Sequence, residues 1–273
     1  MSSLNAHLLR RSLAAEISPR LDKLDVFDSI ASTNTYLLTQ PPPVAGGLHA
    51  AITDHQTAGR GRHDRRWLSP PGSGLCLSLA YTFAVHPEKL PGLTLALGVG
   101  IVAAMQELDI HGIGLKWPND IVALDGKLGG VLTEVQSQAG SKVTVVTGVG
   151  LNIDLPLQPD FGAESDWAHR AVDLRSITPD HPPREVLAGR LIGSLYAAMV
   201  KFEKQGFAGF VEDWRRHDWL HGRQIIVDLP DRQITGVAAG VDADGALLVD
   251  TDKGLERVIS GSIVMAGLTE FRR

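Results

Sequence analysis

The chain has 273 residues, 44% of them apolar, and a formal charge of −5, enough apolar mass for one large domain and a small one. The acidic balance excludes a protein whose main business is holding nucleic acid, because such domains carry net positive charge. Cys76 is the only cysteine, which excludes an intrachain disulfide and fits a reducing cytoplasm, and the longest apolar stretch, residues 93–105, is too short and too interrupted by glycine to span a bilayer.

In chain order, an amphipathic helix over residues 4–17 stops at Ser18-Pro19, and residues 24–27 form a strand. Ser32 and Thr33 stand where the next helix begins, ahead of Tyr36, Leu37 and Leu38, positions where a hydroxyl caps free N–H groups. Pro41-Pro42-Pro43 ends that helix. Strands follow over residues 48–55 and 75–83, and Cys76 in the second reads as a small buried hydrophobe. Between them residues 59–67 read GRGRHDRRW. Glycine lets a backbone approach a ligand closely and move, and arginine offers forked, permanently charged donors for phosphate and carboxylate. Such a run fits a loop that closes over an anion, a solvated basic loop, or a tether for nucleic acid. A strand at each end pins it, which favours a functional loop.

Residues 93–108 are apolar nearly all round, so they form a helix buried against a sheet. Strands over 114–117, 121–124, 128–135 and 143–149, with turns at Asp125-Gly126 and Ala139-Gly140, make a meander, and the whole reads as an α+β fold. Residues 156–183 are loops around a short segment at 172–177. Leu187, Leu191, Leu195, Met199 and Phe202 share one helical stripe, and a second short helix covers 207–216. Short β segments at 224–229, 233–241, 246–249 and 256–259, with turns at Asp244-Gly245 and Lys253-Gly254, predict a small β-barrel. The boundary falls between residues 1–220 and 221–273.

Three further motifs follow the arginine loop: Lys116-Trp117-Pro118-Asn119-Asp120 at a strand end, Lys127-Leu128-Gly129-Gly130 leaving a turn, and Gly148-Val149-Gly150-Leu151-Asn152 at the end of the meander. Each alone is weak, since Asn-Asp after proline is commonly a turn, a hairpin lysine is commonly solvated, and paired glycines commonly mark close packing. In this order they resemble the biotin protein ligases of the biotin–[acetyl-CoA-carboxylase] ligase type, over residues 29–268. The resemblance implies a mixed sheet with helices on one side, similar to class II tRNA synthetases, and an SH3-like C-terminal barrel. It also implies activation of biotin with MgATP to biotinyl-5′-AMP and transfer to a lysine of a biotin carboxyl carrier protein.

Bringing a carboxylate to a triphosphate requires cations, and each well-placed donor in a dry site contributes roughly 2.7–4 kcal/mol to the transition state. Arg60, Arg62 and Lys127 are the catalytic candidates, with Mg²⁺ across the phosphates. By the resemblance, Lys127 meets the biotin carboxylate and the α-phosphate. Ser32, Thr33, Asn34 and Gln56 meet the ureido ring, and Gly59 and Arg60 its other face. Gly129, Gly130, Gly148 and Gly150 leave room for the ligand's bicyclic body and tail. Arg62, Arg65, Lys116, Asn119, Asp120 and Asn152 form the ATP and phosphate set with Lys127, with Trp67 at the base of the loop, and Asn152 and Asp120 are the metal candidates. With no counter-anion present, Arg60, Arg62 and Arg65 repel one another and favour an open loop.

The chain departs from the family pattern in two places. His63 and Asp64 stand where the loop often carries arginine and glycine, and Ala171 matches an aromatic that stacks on adenine in some members, with Trp167 nearby but not aligned. A lipoate ligase would keep the fold and adenylation, and the arginine loop and lysine motifs favour biotin over it. A ligase that doubles as a DNA-binding repressor needs a helix-turn-helix segment, for which the roughly thirty residues before Ser32 are too few, so no sequence-specific DNA partner is expected. The resemblance allows a homodimer through sheet edges or a monomer, in the cytoplasm and away from membranes.

Overall fold

The computed structural model describes residues 4–156 and 170–265; Trp167 and Leu268 lie outside them. Seven strands form the larger sheet: β1 (Leu21–Val26), β2 (Leu48–Thr53), β3 (Gly74–Phe83), β4 (Gly114–Lys116), β5 (Asp120–Ala123), β6 (Gly126–Ala139) and β7 (Lys142–Asn152). Their order is β1-β2-β3-β7-β6-β5-β4. Only the β1–β2 pair is parallel, so the sheet is mixed. β3 sits near the centre and is buried at every position, as its apolar run requires of a strand covered on both faces.

Successive side chains of a strand point to opposite faces, and this sorts the sheet. Leu75, Leu77, Leu79, Tyr81 and Phe83 of β3 join Val131, Val143, Val145 and Val149 in the main core. That face is covered by α3 (Leu93–Gln106) and α5 (Arg184–Gln205), with α1 (Ala6–Ser12) and α6 (Val211–His217) packed beside them. Gly100 lets the two long helices close up, since a Cβ there would meet the Ala198 methyl at 3.0 Å and the Ser194 carbonyl at 3.2 Å. Among the described residues the opposite face carries only α2 (Thr33–Leu38), whose Leu37 packs on Ala51, Ala80 and Val146. Helices therefore flank both faces rather than one, and the short α2 leaves much of its side free for a site.

The small sheet holds β8 (Gln224–Asp228), β9 (Gln233–Val241), β10 (Leu247–Thr251), β11 (Gly254–Val258) and β12 (Ser262–Met265), all antiparallel, in the order β11-β10-β9-β8-β12. β12 was not among the expected strands. The first helix is shorter than expected: Asn5 caps it by accepting from the His7 and Leu8 amides, and Leu13 has already turned to extended backbone. α4 (Leu174–Ile177) occupies the expected short segment.

Candidate active site

The site begins where α2 meets the sheet. Ser32 caps the helix by accepting from the Thr35 amide at 3.3 Å, which sets Thr33 and Asn34 over β3 and β7, both buried. The Thr33 amide and hydroxyl donate to Gln56 Oε1 at 2.8 and 3.1 Å. Ser78 Oγ lies 2.6 Å from both Thr33 Oγ1 and Asn34 Oδ1, and Asn34 Nδ2 donates to Glu134 Oε2 at 2.9 Å. A continuous row of neutral donors and acceptors thus crosses the open face. Its room comes from Gly148, where a Cβ would meet Asn34 Oδ1 at 2.3 Å.

The arginine loop folds over this row. The Trp67 amide donates to the Gly59 carbonyl at 3.0 Å, the Gly61 amide to the Arg65 carbonyl at 2.7 Å, and Arg60 pairs with Arg66 through the backbone. Arg60 reaches across to Glu134, Nη2 to Oε1 2.9 Å. Where an open loop was expected, Arg60 finds a carboxylate, Arg62 an amide oxygen, and the loop backbone pairs with itself. His63 and Asp64 have φ of 54° and 58°, the left-handed region where glycine is at home and Asp and His are the better-tolerated alternatives. That conformation accounts for a glycine at the second position elsewhere and for an aspartate serving here.

The phosphate candidates cluster beside the loop. Lys127 Nζ is 2.6 Å from Asp120 Oδ1 and Lys116 Nζ is 3.6 Å from Asp120 Oδ2, so one carboxylate stands between two ammonium groups. Burial pulls Lys116 below its ordinary pKa, partly opposed by Asp120. It likewise pulls down Arg62, again opposed by Asp120, although a guanidinium keeps its proton. Arg62 Nη1 reaches Asn119 Oδ1 at 3.4 Å, and Asn119 Nδ2 donates to the Val131 carbonyl at 2.9 Å. Arg65 is exposed on the loop, close enough to Arg62 and Lys116 to repel both.

Trp67 lies further into the site than the base of a loop. Lys127 Nζ stands 5.9 Å from its ring centroid, a cation–π distance. The ring fills the space left by Gly150, where a Cβ would fall 2.5 Å from it. Gly130 faces the same side, 3.6 Å from Lys127 Cε. Gly129 does not: its missing Cβ would meet Leu151 Cδ2 at 2.6 Å on the core side, so it serves packing rather than a ligand. The strand period of two separates these adjacent glycines. Asn152 Nδ2 donates to the Lys127 and Val172 carbonyls at 3.2 and 3.0 Å, which spends its two hydrogens on holding β6 and the following segment. Only its oxygen is left for a metal or phosphate. Cys76 is buried beside this region, and desolvation pushes its thiol up to about 11, so it is inert.

The sequence motifs did not point to Ser78 or Glu134. Both sit on the α2 side of ordinary strands, and period-two alternation marks such positions only as polar or neutral. A cavity of about 200 Å³ opens next to Arg62 and Asn119, lined also by Thr94, Trp117 and, from the small sheet, Gly245 and Ile259.

The sequence profile of the biotin/lipoate A/B protein ligase family matches residues 26–152, and that of the biotin protein ligase C-terminal domain matches residues 220–265. The biotin–[acetyl-CoA-carboxylase] ligase of Mycobacterium tuberculosis is 34% identical over 250 residues, covering 89% of this chain and 88% of that protein. The bifunctional ligase/repressor BirA of Salmonella typhimurium is 32% identical over 252 residues, 92% of this chain and 77% of that one. Among solved structures, the biotin protein ligase from Aquifex aeolicus in complex with biotin and ATP superposes with a TM-score of 0.73 at 27% identity, over 90% of this chain and 99% of that one.

Proposed function

Because the chain belongs to the biotin/lipoate A/B protein ligase family, we propose that the Lys127–Asp120–Lys116 cluster and the arginine loop are the parts of it that join biotin to ATP. The protein is a biotin–[acetyl-CoA-carboxylase] ligase. It activates biotin to biotinyl-5′-AMP with release of pyrophosphate, then passes biotin to the carrier protein of acetyl-CoA carboxylase. The observation that carries the assignment of roles is a hydrogen-bonding row of neutral side chains, Gln56, Thr33, Ser78 and Asn34, anchored at Glu134 beside a cluster of cations. The row suits an uncharged ureido ring and the cations suit a carboxylate and phosphates.

In the first step a biotin carboxylate oxygen attacks the α-phosphorus and the bond to pyrophosphate breaks. Lys127 is the cation that would stand between those anions, and Asp120 holds its ammonium in place until substrate phosphates take over. Lys116, Arg62 and Arg65 spread the remaining positive charge over the triphosphate, and Asn119 orients Arg62. In the second step the carrier lysine amine attacks the acyl carbon and AMP leaves, with Arg60 and its loop keeping water from the anhydride.

Magnesium enters as MgATP. Among the described residues no group of three or more His, Cys, Asp or Glu side chains stands ready for a metal, and Asp120 is already held by two lysines. Magnesium favours oxygen ligands and keeps several waters, so it would arrive held mainly by ATP, and Asp120 and Asn152 Oδ1 are the side-chain oxygens that would help hold it and offset phosphate charge. A cytoplasmic setting agrees with the single buried cysteine; among the described residues no helix is long and apolar enough to cross a membrane.

Pyrophosphate release from MgATP tests the reading. It should depend on biotin and stay at background with lipoate. Release driven by lipoate instead of biotin would overturn it.

A further inference from the structure

We propose that Glu134 is a positioning residue that fixes both the biotin site and the arginine loop, an inference that rests on the ligase reading. It stands at the junction of the two parts. One carboxylate oxygen takes the Arg60 guanidinium at 2.9 Å and the other takes Asn34 Nδ2 at 2.9 Å. Its place on β6, paired with Val146 of β7, puts it on the α2 side of the sheet, and its side chain is about one-fifth exposed, 22%.

An ionised carboxylate only accepts hydrogen bonds, so Glu134 decides which way the Asn34 amide lies. Nδ2 must face Glu134, and Oδ1 then faces Ser78 at 2.6 Å. That amide oxygen has no hydrogen to give, so the single Ser78 hydrogen is shared between it and Thr33 Oγ1, and the one Thr33 hydroxyl hydrogen goes to Gln56 Oε1 at 3.1 Å. Gln56 Oε1 is taken up by the Thr33 amide at 2.8 Å, which leaves Gln56 Nε2 on the side of Gly59, 2.9 Å from where a Cβ would be. Each member of the row therefore has a fixed donor or acceptor role, the Asn34 and Ser78 end held by Glu134 and the Gln56 end by the Thr33 amide. A ureido group has a fixed polarity too, with a carbonyl that accepts and two N–H groups that donate. The same carboxylate, through Arg60, ties the loop to the end of the row it holds, so an ordered row and a closed loop come together.

Glu134→Gln tests this with almost no change of volume. A glutamine amide both donates and accepts, so it loses the ion pair and lets Asn34 turn. The expected result is a biotin KM raised about 10-fold or more, the scale of one charge-assisted hydrogen bond, while kcat for pyrophosphate release and the KM for ATP change far less. Free biotinyl-AMP should also escape into the filtrate. Ser78→Ala, which interrupts the row without touching the loop, should raise the biotin KM and leave adenylate retention intact. In the double variant Arg60→Ala/Glu134→Gln, leakage should be no worse than in Arg60→Ala alone, whereas the biotin KM should rise further. Biotin KM and adenylate retention within about twofold of wild type in a folded Glu134→Gln protein would overturn the proposal. Equal losses for biotin and ATP together with a lowered melting temperature would also overturn it, because they mark a merely structural role. A wild type that releases no pyrophosphate with biotin sinks the ligase reading and this inference together; an active wild type beside an unchanged Glu134→Gln sinks this inference alone.

Discussion

In the proposed mechanism Lys127 is the residue on which the chemistry depends most directly. It is only partly buried, 25% exposed at its side chain, and its anchor Asp120 keeps Lys116 if it is removed. Lys127→Ala should therefore fold normally and lose adenylate synthesis by about 10²–10³-fold, the usual cost of one aimed donor in a dry site; pyrophosphate release beside a circular-dichroism melt checks both halves. At this scale the sequence was legible where residue type alone limits the chemistry. Lysine, arginine and paired glycines in fixed order pointed to Lys127, Arg60 and Gly130, which the fold brings to the same side of the sheet as the proposed site. Gly129 was misplaced because adjacent glycines look alike in a string while a strand sends them to opposite faces. Glu134 and Ser78 were invisible for the converse reason: their importance lies in partners more than forty residues away along the chain, and no local pattern encodes such a pairing.

Among the elements, the buried strands and long helices were readable because periodicity reflects burial, and burial decides them. The ends of elements were less so. α1 stops early because its cap and its exit are set by Asn5 and by packing rather than by apolar spacing. α4 shows how a short element is held. Asp173 caps it, accepting from the Ser176 amide at 2.9 Å, and also takes the Leu155 amide at 2.8 Å beyond β7. Burial pushes its pKa up, but the hydrogen bonds from the Ser176 hydroxyl and the two amides outweigh this and hold it below the ordinary 3.8. A depressed carboxylate stabilises the fold above its unfolded pKa and loses that contribution as pH falls through the folded value. Asp173→Ala should thus cost about 1 kcal/mol at pH 7, as lost N-caps do, and the gap from wild type should narrow in acid, below the ordinary carboxylate value of 3.8. Urea titrations at neutral and acid pH measure it.

At the scale of the molecule, the two sheets meet at a narrow seam. Trp117 Nε1 donates to the Gly245 carbonyl at 3.1 Å, and Gly245, at φ +84°, would drive a Cβ to 2.9 Å from Gly92 Cα. Gly245→Ala combines left-handed strain with a backbone clash, so the melting temperature should fall by about 2–4 °C for each kcal/mol lost, and the proposed ATP site should suffer because Gly245 lines the cavity beside Arg62. A variant melting with wild type would show that the seam yields freely. The sequence announced two units through their change of strand length, but not this seam, which depends on contacts between turns. One consequence of the cationic cluster reaches beyond the pocket. Set in a chain whose formal charge is −5, Lys116, Lys127, Arg62 and Arg65 give the molecule an uneven field, attractive at one mouth and repulsive elsewhere. A polyanion such as MgATP is then steered in rather than left to random collision. As added salt shortens the screening length from about 30 Å at 0.01 M to about 8 Å at 0.15 M, kcat/KM for MgATP should fall while kcat stays level; a flat profile would mean that the field ends at the pocket wall and that arrival, unlike chemistry, owes nothing to these four side chains.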